Sequence, residues 1–333
     1  MSSAQGKAQP ARRHRFSKEI LKAVRSHSRL DNWHGPLEIA EHWLVIGFWI
    51  WISLYAWRVL HPAVALLVFL PAVFFIGGRQ RALAGVLHQA CHGTLMSNKT
   101  LGRLLGTLLG GYPVLQSYTG YWASHLRDHH GRLGDPRRDP DYQQYQRYGL
   151  CGHNLERGAL RRHLRSIAGP RTTLSYISHL LRYRIWNPEE RRRESLIRLL
   201  FFAAAIVLAV FGGWLDILAA YWLLPLITTQ VWIGMLAELM EHYPLVESAN
   251  PRLDLYMSWN RDSNWFERFI LGEKKGEGFH LVHHLFPYVP LWRLEEVDRV
   301  LARDPVYASL PRLEGALQAL GSISQALPAR RQS

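Results

Sequence analysis

Leu104-Leu105-Gly106-Thr107-Leu108-Leu109-Gly110-Gly111-Tyr112-Pro113-Val114-Leu115-Gln116-Ser117-Tyr118-Thr119-Gly120-Tyr121-Trp122-Ala123-Ser124 is an uncharged run long enough to cross a bilayer. Its reading sets the topology of everything around it. If the run crosses, the histidines just before it and those just after it lie on opposite sides of the membrane. If it turns back, they share one side. The Gly110-Gly111 pair and Pro113 interrupt a helix, and Gln116, Ser117, Tyr118, Thr119 and Tyr121 are too polar for lipid. A crossing would also strand the arginine-rich segment that follows on the outer side. Residues 104–124 are therefore expected to be interfacial or re-entrant, buried against protein.

Outward from this run lie three clusters of histidine. His88-Gln89-Ala90-Cys91-His92 precedes it and His125-Leu126-Arg127-Asp128-His129-His130 follows it. The third, Gly278-Phe279-His280-Leu281-Val282-His283-His284-Leu285-Phe286-Pro287, lies near the C-terminus, and His242, after Glu238 and Glu241, makes a ninth candidate. On a helix, residues four apart share a face, so each cluster presents converging imidazoles. One such pair is more often a solvated or core pair than a ligand pair. Three clusters in a chain with 17 histidines overturn that prior.

A single metal ion accepts three or four histidines, so nine suit two ions. The adjacent pairs His129/His130 and His283/His284 project about 100° apart and can feed neighbouring metals. Zinc hydrolysis is disfavoured, because no His-Glu-x-x-His helix carries a glutamate between the ligands. Repeated imidazole without a thiolate set favours iron and oxygen chemistry. Asp128 and Asp139 are candidates to orient ligand rings, and Glu238 shares a face with His242. Cys91 would point away from the His88/His92 face and is read as packing. Cys91 and Cys151 are the two cysteines, both on the side where thiols stay reduced.

The expected fold is all-α and integral to the membrane. Four uncharged stretches, about 39–60, 62–78, 198–214 and 217–237, read as spanning helices in two hairpins under a helical cytoplasmic lobe. Around this domain, 39–310, lie a basic cytoplasmic segment at 1–38 and a C-terminal tail at 311–333. No cleavable signal peptide is expected, and Ile20 to Arg25 read as an amphipathic helix on the membrane surface. The net charge of +14 is sorted by side of the membrane: eight basic residues precede the first span, and Arg191-Arg192-Arg193 precede the third. That bias places both termini and the histidines in the cytoplasm, and it argues against a nucleic-acid role.

The three histidine clusters, in this order between two transmembrane pairs, resemble the histidine boxes of the membrane fatty acid desaturase and hydroxylase superfamily. The loop Gly134 to Asp141 and the stretch Leu285 to Pro290 look like those of its bacterial branches, and the likeness covers roughly residues 40–310. The resemblance implies two iron ions held by His88, His92, His125, His129, His130, His280, His283 and His284, with His242 additional. It implies O2 as co-substrate, a separate ferredoxin-type or cytochrome-type electron donor, and an acyl or other lipophilic substrate in an apolar slot. A bacterial inner-membrane location fits. Two positions depart from the pattern: Gln89 where aspartate is frequent, and Gly278 where asparagine is frequent. The implied reaction is desaturation. A hydroxylase or ketolase acting on a lipid, carotenoid or specialised metabolite is the alternative within the family, and a membrane metal or haem carrier is the alternative outside it.

Overall fold

The computed structural model describes residues 12–151, 158–248 and 253–326. Four helical stretches are long and apolar enough to cross a membrane: His34–Val59, Pro62–His92, Arg192–Gly212 and Leu215–His242. The second is the hub, packed against the first on one side and the fourth on the other. Its 31 residues are unbroken. At about 1.5 Å per residue it extends roughly 46 Å, well beyond a hydrocarbon core of about 30 Å. Its last turns, with His88 and His92, therefore stand clear of the lipid. Gly93, at φ 67°, ends it.

Close approach of the second and fourth spans requires glycine at 77. A Cβ there would lie 2.0 Å from the Thr229 hydroxyl oxygen, which donates to the Val73 carbonyl at 2.9 Å. The fourth span is not one regular helix. A wide turn over Ala219–Leu223 and a break at Thr228, three residues after Pro225, divide it before Thr229–His242 resumes. The third and fourth spans, expected as a tight hairpin, touch chiefly at their connecting turn. Only 11% of the third span's apolar window is buried, against 44% for the fourth, so most of its surface is left to lipid.

Residues 104–124 do not form a spanning helix. Lys99–Leu105 continues as a wide turn over Gly106–Gly111, packs against the second span, and is reversed by Leu115 at φ 68°. The chain restarts at Tyr118, where Ser117 Oγ accepts from the Gly120 amide at 3.1 Å. Glu194, in the first turn of the third span, accepts from the Thr119 amide at 3.2 Å and pins the returning segment.

One expectation at the N-terminal end of the chain is corrected. The amphipathic helix Lys18–Ser26 does not lie against lipid. Ile20 and Val24 are buried against Leu294–Leu301, in a core shared with Phe279, Val282 and Phe286. Each such buried aliphatic side chain contributes about 1.5–3 kcal/mol, a stronger pull than an interface offers a short helix. The segment beyond 310, expected to contribute amphipathic helices that cap the lobe, is packed onto it. Leu313–Glu314 pairs in parallel with Arg261–Asp262, and helix Gly315–Ala326 packs against the end of the fourth span.

Candidate metal centre

Local helix geometry decides where each ring goes. Trp122–His129 is a wide helix, in which residues five apart align, so His125 meets His130 with Nε2 atoms 3.1 Å apart. His129, four on from His125, stacks beside it with ring centroids 5.1 Å apart, yet its Nε2 meets that of His242 at 3.1 Å. The regular spacing read from the sequence would have paired His125 with His129. His280–Leu285 is an ordinary α-helix, and there His280 and His284 do pair, at 3.2 Å, while His283 points elsewhere.

The nine rings fall into two groups able to hold a metal ion. His88, His92, His125, His130 and His283 form one, and His129, His242, His280 and His284 form the other. Within the five-ring group, His88 and His130 each place Nε2 3.1 Å from that of His283. Within the four-ring group, His242 Nε2 lies 3.1 Å from His129 Nε2 and 3.0 Å from His280 Nε2. Two ligands at right angles on a metal, each bonded at about 2.1 Å, stand roughly 3.0 Å apart. The spacing is therefore that of neighbouring ligands on a shared ion, and the buried Nε2 of His92 has no hydrogen-bond partner among the described residues. The donor set fits a metal.

The four-ring group is oriented by acceptors behind it. His129 Nδ1 donates to Asp139 at 3.0 Å, with Asp141 at 3.3 Å, and His242 Nδ1 donates to the Met257 carbonyl at 3.0 Å. Asp139 also accepts from the amides of Gly134 and Asp141 and caps helix Pro140–Arg147, so turn chemistry and ring orientation share one carboxylate. Asp141, two residues on, was not singled out in the sequence, although the repeated Asp-Pro of the loop carried the signal. Asp128 sits elsewhere: its carboxylate pairs with Arg127, whose Nε donates at 3.0 Å. Glu238 joins neither histidine group. It accepts from the Tyr176 hydroxyl at 2.6 Å and lies near Asp141 and His179. Cys91 is buried with its thiol toward the Tyr118 carbonyl, outside both groups.

Burial, with like-charged rings adding to it, holds His125, His130, His280, His283 and His284 neutral far below the usual imidazole range. Neutral imidazole is the form that binds metal. Burial also opposes charge on His129, but Asp139 and Asp141 outweigh it and push that ring up to about 9.

Both departures have local causes. Gln89 Nε2 donates to the buried Glu38 at 2.8 Å, where an aspartate would set two carboxylates together. A Cβ at Gly278 would fall 2.0 Å from the Arg261 carbonyl oxygen, so asparagine has no room there.

A cavity of about 140 Å³ opens beside the rings and reaches His88, His125, His280 and His283. Its wall differs from the expected apolar slot, for Arg81, Arg184, Glu238, Glu241 and Glu277 line it together with leucine and valine side chains.

The fatty acid desaturase family model matches residues 63–315, from the second span through the last histidine cluster. The chain belongs to the fatty acid desaturase family. Dihydrorhizobitoxine desaturase of Bradyrhizobium elkanii is 34% identical over 318 residues, spanning 93% of this chain and 87% of the relative. This desaturase-family chain is thus an integral membrane oxidoreductase, and its two histidine groups suit a metal.

Proposed function

We propose that the protein is an O2-dependent desaturase in which the two histidine groups hold one iron ion each. The observation carrying this reading is the convergence of nine Nε2-bearing rings into a five-ring and a four-ring group, with neighbouring nitrogens 3.0–3.2 Å apart. When bound, such a pair of irons supplies the means to activate O2 against an unactivated carbon–hydrogen bond. The reaction balances when a saturated carbon pair loses two hydrogens to become an alkene. O2 is reduced to two waters, using two electrons from a ferredoxin-type or cytochrome-type donor and two protons.

The chain's own part is to keep most of the rings neutral, to hold His129 on Asp139, and to place one carbon pair next to His88, His125, His280 and His283 while bulk water is kept out. The excess of lysine and arginine on the face that carries the histidines suits an acidic electron donor. The same bias supports a cytoplasmic site in a bacterial inner membrane, with both termini on that side. Candidate substrates are a fatty acyl or other lipophilic chain and the compound named for the relative, dihydrorhizobitoxine.

Cells expressing the protein are fed each candidate in deuterated form and the products are read by mass spectrometry. Desaturation gives a product two hydrogens lighter, dependent on O2 and lost in His283→Ala. A product that gains oxygen instead marks a hydroxylase. Purified protein that binds metal but consumes no O2 with any donor would sink the oxidase reading and leave a carrier.

A further inference from the structure

The chamber beside the histidines is built to receive hydrogen-bond donors and positive charge. Four carboxylates line it, Asp141, Glu238, Glu241 and Glu277, against two guanidinium groups, Arg81 and Arg184. Arg81 is held by Glu277 at 2.8 Å and lies 3.7 Å from Glu241, and Arg184 lies 3.6 Å from Asp141. Among the described residues, Glu238 accepts a hydrogen bond from the Tyr176 hydroxyl alone, with the Arg184 charge farther off, and Glu241 has two distant neighbours, Arg81 and the His280 ring, each at 3.7 Å. Glu238 and Glu241 stand three residues apart on one helix and both keep partial exposure on the chamber side.

A second observation points the same way. Gln89, Gln116 and Gln230 line the chamber, are at least nine-tenths buried, and each leaves its amide oxygen without a donor among the described residues. For Gln89 the amide orientation is fixed, because its nitrogen already donates to Glu38. Buried acceptors left unpaired cost about 1–3 kcal/mol each, and a hydrocarbon chain would satisfy none of them. An ammonium group brings three N–H donors, enough for both glutamates and one of these oxygens.

We propose that the substrate is a small aliphatic amine, its protonated nitrogen received by Glu238 and Glu241, so that the oxidised carbon pair belongs to an amino compound rather than to a bare acyl chain. This rests on the desaturase reading for the chemistry but not for the binding, and the test separates the two.

Full-length protein loaded with iron, in lipid nanodiscs and without O2 or reductant, is titrated by calorimetry with four probes: hexamethylenediamine, aminocaproate, caproate and palmitate. The two amine-bearing probes should bind, with caproate and palmitate at least roughly tenfold weaker, since charge-assisted hydrogen bonds are each worth about 1.5–3 kcal/mol. Glu241→Gln and Glu238→Gln should each weaken the amines by a similar factor while iron content stays the same. Palmitate or caproate binding as tightly as aminocaproate overturns the proposal. So does loss of iron in the variants with amine affinity unchanged, which would assign the carboxylates to the metals. Should a variant fail to fold, the wild-type probe series decides alone. Amine binding without any O2-dependent product would leave the chamber standing and remove the desaturase reading instead.

Discussion

The five-ring histidine group draws on all three clusters, whereas the four-ring group takes nothing from the first and adds His242, and the two are supported in different ways. The four-ring group is backed by charge and carbonyl: two carboxylates behind His129 and a backbone oxygen behind His242. The five-ring group has more rings but less behind them, and the buried Nδ1 of His125 has no hydrogen-bond partner among the described residues. An acceptor behind an imidazole fixes its tautomer and raises its basicity, whereas an extra ring adds a donor that other rings can replace. The difference teaches that ligand count and ligand strength are separate variables, and that this chain leans on number in one group and on orientation in the other.

The sharpest way to break that comparison is to remove one ring from each group. His242 contacts both His129 and His280, so His242→Ala leaves three rings with their common neighbour gone. We expect purified His242→Ala to retain about one iron per chain, with turnover reduced beyond the roughly 10–100-fold typical of losing an orienting residue. His92→Ala leaves four rings in its group and should keep close to two irons. Metal analysis of the two variants side by side settles the matter, and equal losses would abolish the distinction.

A milder change sharpens it further. Asp139→Asn keeps an amide-accepting cap on helix Pro140–Arg147, because asparagine caps about as well as aspartate. What it removes is negative charge behind His129. Chelator competition should show one of the two irons held roughly 10–100-fold more weakly and the other unaltered, with the melting temperature nearly constant. Weakening of both sites alike would mean that the groups are not independently supported.

Much of this architecture was legible in the residues themselves. The spacing of His88/His92 and His280/His284, the uncharged stretches and the interrupted run at 104–124 gave the ring set, the membrane class and the shared side, because each depends on a local period or a local breaker. The partition of the rings was not legible, since it turns on the widening of Trp122–His129, where backbone bonds shift by one residue without a sequence marker. Nor was the chamber wall. Arg81, Arg184, Gln230 and Glu277 come from four distant parts of the chain and carry no motif, and only the packing of the spans brings them together. The partner of the helix at 18–26 was illegible for a related reason: an amphipathic face shows that a helix is covered, not what covers it.

Asp128 supplies the smallest effect and the control for the others. It neighbours His129 in sequence, carries the same charge as Asp139, and lies within the histidine cluster, so proximity in sequence alone would grant it the same role. Its carboxylate is instead held by Arg127, itself bonded to Glu189, and reaches Arg138 only at 4.0 Å. Arg127 is 37% exposed, and ion pairs of that kind are worth about 0–1 kcal/mol. Asp128→Asn should therefore leave iron content and iron affinity at wild-type values and shift stability by no more than roughly 1 kcal/mol in a denaturant titration. If it weakened iron as Asp139→Asn is expected to, the support behind the four-ring group would be a diffuse negative field over the whole second cluster. If it does not, the support is directional: one carboxylate on the far nitrogen of one ring, which is what the 3.0 Å contact between Asp139 and His129 requires.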